Sequence, residues 1–147
     1  MKIYLDTTIL TVYLFGQQLH SARHVDAVAL FATVDAGLVE AVVSLYALQE
    51  LCSYCYNTFP PAQAPHATRL AVHELLRHPL QVVPLLTRAD RILFSRRFPM
   101  SDTSDQVHTC TAYREGCTAV ITYDHHYQEV ATLITVLAPA EFLQQNQ

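Results

Sequence analysis

Apolar positions along this chain follow two periods, and the two alternate. Ile3, Tyr4 and Leu5 are consecutive and apolar, the pattern of a strand covered on both faces. Thr8–Phe15 then reads as a short helix stopped by Gly16, and Ser21–Ala36 as a second, capped by Ser21 and ended by Gly37. Leu38–Ser44 carries Val39, Val42 and Val43 and predicts a strand. Ser44 then caps a helix through Phe59, which Pro60 and Pro61 terminate. A proline-bearing connection leads to a helix over Ala67–Arg77 and a short strand, Gln81–Val83, bounded by Pro79 and Pro84. Thr87–Phe98 is helical, Pro99 and Met100 break it, and Ser101 or Asp102 opens a helix that runs to Gly116. Cys117–Tyr123 and Ile134–Leu137 read as the last strands. Five short strands separated by helices predict one α/β domain over residues 1–147, a parallel sheet between two helical layers.

Composition narrows what such a domain could bind. Of the 147 residues 51% are hydrophobic and 15% charged, enough for a substantial core and too apolar for a disordered tail. A net charge of -4 with only 9 basic residues excludes a global basic field, so any nucleic acid contact must be local or metal-assisted. Cys52, Cys55, Cys110 and Cys117 read as reduced thiols of a cytoplasmic protein, because a chain this long and apolar does not need disulfides. Asp6 interrupts the N-terminal apolar run before it resembles a signal peptide, and no stretch is long enough to span a bilayer.

Charge within the apolar frame is more informative. Asp6 follows the first strand and Asp124 the fourth, so both stand at the carboxyl edge of a parallel sheet, where α/β folds place their ligands. Asp6 reads equally as the N-cap of the helix behind it. Glu50, flanked by Leu48 and Leu51 in "SLYALQELC", is expected to be partly buried, and Asp102 and Asp105 share one face at a helix start. Three or four carboxylates converging without a nearby lysine would repel strongly unless a divalent cation sat between them.

Other constellations are weaker. His73, Glu74 and His78 have a His spacing of five rather than the four of a zinc-protease helix, and Pro79 ends that helix. Cys52 and Cys55 lack a second pair with zinc-ligand spacing, and His20 with His24 supplies only two ligands. A phosphatase reading of "DTT" requires a second Asp where Thr8 stands. Arg88, Arg91, Arg96 and Arg97 could grip RNA phosphates, or form a solvated helix face with Asp90 as partner.

The segments "YLDTTIL", "SLYALQEL" and "SDQVHTCTAYREGCTAVITYDHHY" together resemble the motif series of PIN-domain ribonucleases, in particular VapC-like toxins of toxin–antitoxin pairs. The C-terminal block is the most specific: Asp105, His108, Gly116, Thr122, Asp124 and Tyr127 in that order. The resemblance implies a PIN-like three-layer α/β/α sandwich. It makes Asp6, Glu50, Asp105 and Asp124 an acidic quartet for one or two Mg²⁺ or Mn²⁺ ions, with Thr8 and Thr122 supporting the first and last Asp. Asp102 stays a cap or a supporting group, and His108 reads as a packing or supporting residue rather than a general base. His125 and His126 stand where many relatives carry another charged residue.

Carboxylate oxygens and water suit Mg²⁺ or Mn²⁺, which polarise a phosphodiester and acidify an attacking water. The implied activity is hydrolysis of RNA to 5′-phosphate and 3′-hydroxyl ends by a homodimeric toxin with a small antitoxin partner. A stand-alone RNA-processing PIN enzyme and a degenerate PIN fold serving as a binding or dimerisation module are the alternatives.

Overall fold

The computed structural model describes residues 1–146. Five parallel strands, β1 (Lys2–Leu5), β2 (Glu40–Ser44), β3 (Gln81–Val83), β4 (Ala119–Ile121) and β5 (Thr135–Leu137), form one sheet in the order β3-β2-β1-β4-β5. Tyr4 at the centre pairs with Val42 on one side and Val120 on the other.

Alternation along these strands sends side chains into two cores. Ile3, Leu5, Ala41, Val43, Ala119 and Ile121 pack against α1 (Thr7–Leu19), α2 (Ser21–Asp35), α3 (Leu45–Thr58), α4 (Ala64–Leu75) and α7 (Pro139–Gln145). Tyr4, Val42 and Val120 face the opposite layer, α6 (Thr103–Arg114) and a 3₁₀ segment, His125–Val130. α5 (Arg88–Ser95) packs outside α6, with Phe94 beside a small cluster of Phe98, Cys110 and Val130. The result is the expected three-layer α/β/α sandwich. Ile3, Leu5 and Ile121 are fully buried, each contributing about 1.5–3 kcal/mol of transfer free energy.

Several element boundaries follow from their caps. Ser44 Oγ accepts from Ala47 N at 3.0 Å to start α3, and Thr87 with Asp90 forms a capping box ahead of α5. Gly116 takes φ +69°, the left-handed conformation that ends α6.

The structure departs from the sequence reading in several places, among them β2, which begins at Glu40 rather than Leu38, and α5, which ends at Ser95 rather than Phe98. Gly16 does not stop α1, which continues to Leu19. A Cβ at Gly16 would lie 3.0 Å from Val12 Cγ1, one turn back on α1, and at ordinary contact distance, 3.5 Å, from His24 Cβ on α2. Ser21 is already helical, and no side chain caps α2. α4 begins at Ala64 and ends at Leu75, earlier than expected at both ends. β4 is shorter than Cys117–Tyr123 and is followed by the unforeseen 3₁₀ segment. α7 was also unforeseen, although "APAEF" holds its signal: Pro139 in the first turn, with Glu141 Oε2 accepting from Ala138 N at 2.7 Å.

The chain leaves β3 at one edge and returns as β4 on the far side of β1. Such a crossing opens a crevice beyond the carboxyl ends of β1 and β4. Among the described residues no helix is long and apolar enough to cross a membrane.

Candidate metal centre

Asp6 closes β1 and caps α1 at once. Its backbone N donates to Ile121 O at 3.1 Å, extending the sheet by one bond, and its carboxylate is 2% exposed. Oδ2 accepts from Thr8 Oγ1 at 2.7 Å and Thr122 Oγ1 at 2.8 Å, and Oδ1 from the Tyr127 hydroxyl at 3.0 Å. The ligand position and the helix cap, separate possibilities in the sequence, coincide in one residue. Both threonine hydroxyls reach Asp6, whereas Asp124 meets Thr122 only through its backbone N, at 2.9 Å.

Glu50 projects from α3 beside Asp6 and is half-buried. Its Oε2 accepts from Thr7 Oγ1 and from His108 Nε2 at 2.8 Å, and its Oε1 from Ser104 Oγ at 3.1 Å. Burial alone would raise its pKa. The hydrogen bond and charge of His108, with the two hydroxyls, outweigh that and hold the carboxyl below its ordinary range.

His108 is buried on α6 and supports the site from beneath. Its Nδ1 lies 2.7 Å from the Tyr4 hydroxyl, which lies 2.7 Å from Ser44 Oγ, and its Nε2 is 3.6 Å from Asp6 Oδ1. Burial opposes a charged ring, yet the Glu50 hydrogen bond and the charges of Asp6, Glu50 and Asp105 raise the imidazole above its usual pKa.

Asp102 caps α6, Oδ1 accepting from Ser104 N at 2.7 Å and Asp105 N at 3.3 Å. This cap aims Asp105 into the crevice. Asp105 Oδ2 is buried without a hydrogen-bond partner. Burial first, then the charges of Asp124, Asp6 and Asp102, push its carboxyl up to about 7. Asp124 caps the 3₁₀ segment through His126 N at 2.9 Å, and the His126 ring turns back between Asp124 and Asp105.

The quartet is therefore contiguous but divided. Asp6 and Glu50 have their oxygens occupied by donors from the protein, whereas Asp105 keeps a bare one. Among the described residues two groups have donor atoms close enough together for one ion, Asp102–Asp105–His126 and Asp124–His125–His126, and Asp6 and Glu50 belong to neither. Among the described residues no lysine or arginine pairs with any of the four carboxylates. A divalent cation fits this donor set: hard oxygens, excess negative charge and an orphaned buried oxygen.

Sequence reasoning gave no site role to Tyr4, Thr7 or Ser104, read Ser44 only as a helix cap, and met Tyr127 only as part of the resembling motif block. Tyr4 carried a local signal, since a tyrosine in an apolar run needs a partner for its hydroxyl.

The arginines behave differently from one another. All four are exposed, and α5 lies against α6, the helix that carries Asp105. Asp90 is occupied by Thr87 and by Arg114 at 3.7 Å, so it is not the partner of Arg88 or Arg91. Arg97 sits over the Tyr113 ring at 4.4 Å. Away from the crevice, His24 Nδ1 bonds Val12 O at 3.0 Å, and His78 bridges Asp35 and Tyr13 at 2.7 and 2.9 Å, which accounts for these histidines without metal. The four cysteines are free thiols.

No curated protein is matched by the sequence. Solved structures are matched along nearly the whole chain. A chain of VapBC2 from Rickettsia felis, solved bound to a promoter DNA fragment, is 14% identical with a TM-score of 0.66, over 94% of this chain and 98% of that one. Mycobacterium tuberculosis VapC20, described as a sarcin-ricin loop cleaving toxin, is 15% identical with a TM-score of 0.67, over 93% and 99%. A chain of DNA-bound VapBC from Salmonella typhimurium is 18% identical with a TM-score of 0.62, over 95% and 98%. At these identities the likeness is one of fold. The PIN domain profile matches residues 3–133, which contain every carboxylate of the crevice, and the chain belongs to the PIN domain family.

Proposed function

We propose that the chain is a divalent-metal-dependent endoribonuclease of the VapC toxin type. The observation that carries this reading is the bare, buried Oδ2 of Asp105 within a cluster of carboxylates that lacks a lysine or arginine counter-charge. Asp6, Glu50, Asp105 and Asp124 would hold Mg²⁺ or Mn²⁺ directly or through water, Asp105 offering the unfilled oxygen. When bound, the ion supplies Lewis acidity toward the phosphodiester and a water acidic enough to attack at neutral pH. The chain's own residues position and exclude. Thr8, Thr122 and Tyr127 fix Asp6, while His108, Thr7 and Ser104 fix Glu50. Arg88, Arg91, Arg96 and Arg97 offer cationic contacts for the RNA backbone beside an otherwise acidic crevice.

A small antitoxin belongs to the same reading, supported by two of the similar structures being VapBC complexes on DNA. A homodimer and a cytoplasmic setting complete it. The test is cleavage of RNA by the purified chain with Mg²⁺, Mn²⁺ or EDTA, alongside Asp6→Asn and Asp124→Asn. Cleavage is expected only with metal and in neither variant. Cleavage that survives EDTA and both substitutions would refute the reading.

A further inference from the structure

The functional reading uses carboxylates and hydroxyls and leaves His126 without a role, although His126 is the one residue common to both candidate donor groups. Its Nδ1 is 3.1 Å from Asp124 Oδ1 and 3.6 Å from Asp105 Oδ2. The second distance is too long for a hydrogen bond, and Asp105 Oδ2, on a residue 8% exposed, has no other partner. Adjacent ligands of one octahedral ion, each about 2.1 Å from it, stand roughly 3 Å apart. The 3.6 Å from Nδ1 to Asp105 Oδ2 is near that spacing, and Asp102 completes a set of donor atoms close enough for one ion. The backbone sets the ring there: His126 N donates to Asp124 Oδ1 at 2.9 Å, closing the turn that folds the imidazole back over the crevice. The neighbouring His125 ring is 86% exposed, lies 3.6 Å from Asp124 Oδ1 and stacks against the His126 ring at 4.2 Å, away from Asp105.

Resting on the metal dependence proposed above, we infer that His126 is a nitrogen ligand to an ion held with Asp102 and Asp105, and that the centre consequently selects Mn²⁺ and Co²⁺ over Mg²⁺. Mg²⁺ keeps to oxygen and water, whereas imidazole nitrogen favours later first-row ions, in the order Mn²⁺ below Co²⁺. The acidic quartet implied by the family resemblance contains no such preference. Its source here is the second histidine of "DHHY".

The test uses the full chain without RNA. Pulsed electron paramagnetic resonance of the Mn²⁺-loaded protein should show coupling to ¹⁴N, retained in His125→Ala and lost in His126→Ala. Calorimetry should give His126→Ala a Co²⁺ and Mn²⁺ affinity at least about tenfold lower, with the Mg²⁺ affinity changed less than about threefold. The coupling is read on the unsubstituted chain, so the inference stays testable even where a variant fails to fold. Mn²⁺ bound without ¹⁴N coupling, and lost in Asp105→Asn, would overturn the inference and leave the metal reading standing. Coupling that persists in His126→Ala would overturn it by assigning the nitrogen elsewhere. Failure of the unsubstituted chain to bind Mn²⁺ would remove the inference and the metal reading together.

Discussion

His108 Nε2 meets Glu50 Oε2 at 2.8 Å, joining a fully buried ring on α6 to a half-exposed carboxylate on α3. The contact belongs to a continuous line, Ser44 to Tyr4 to His108 to Glu50, that runs from the start of α3, beneath the site, to its rim. Tyr4→Phe removes the middle hydroxyl and leaves His108 Nδ1 with a lost partner in a dry environment. It should cost about 1–2 kcal/mol in denaturant unfolding and lower RNA cleavage less than Glu50→Gln does. Tyr4→Phe with unchanged stability would mean that the line is not continuous in solution.

Removing charge from Asp105 should stabilise the metal-free fold, because its ionised carboxylate faces Asp124, Asp6 and Asp102 from a buried position. In EDTA, Asp105→Asn is expected to raise the melting temperature by roughly 3–8 °C, as for a relief of about 1–3 kcal/mol in a chain of this size. The same substitution should abolish cleavage and most of the stabilisation by added Mn²⁺. A lower melting point in EDTA with full Mn²⁺ stabilisation would exclude Asp105 as a ligand.

The pH dependence follows from the same carboxyl, raised in the fold to about 7 from an ordinary 3.8. The fold favours the protonated form, so this contribution is complete below about pH 4 and is lost as pH rises through 7. Metal-free protein should therefore lose on the order of 2–4 kcal/mol relative to Asp105→Asn across that window. Paired urea titrations at pH 4, 5.5 and 7.5 measure it, and a constant difference would contradict the assignment.

Gly16 carries a packing prediction. Gly16→Leu would drive a side chain into Val12 and His24 where α1 meets α2. Overpacking of this kind costs about 1–3 kcal/mol, and the thermal transition should fall accordingly. An unchanged transition would show that the two helices can separate without loss.

The RNA contacts proposed for α5 can be separated from chemistry. Arg88→Gln with Arg91→Gln should raise KM several-fold, leave kcat nearly unchanged and flatten the salt dependence of binding. Equal losses in kcat and kcat/KM would place these arginines outside ground-state binding.

How much of this was legible in the sequence depends on range. Asp6 and Asp124 could be placed on one rim because each follows an apolar strand, and parallel strands share their carboxyl edge. Asp102 as a cap and Glu50 as half-buried were local readings of the same kind. Tyr127 on Asp6 and Thr7 on Glu50 were not legible, since those contacts join residues 121 and 43 positions apart and depend on helix placement. Gly16 misled for a related reason. A local rule makes glycine a helix terminator, but α1 runs on through Gly16 to Leu19.

The order β3-β2-β1-β4-β5 also orders events during synthesis. Tyr4 at the sheet's centre waits for Val120, so a chain still growing has β1 with one flank open and Asp6 without Thr122, Tyr127 or Asp124. Every stop codon placed before β4 would leave a nascent product with half a crevice and no complete acidic centre. Between emergence of Asp6 and emergence of Asp124 the crevice is therefore unfinished, and its last wall arrives only with β4 and the 3₁₀ segment.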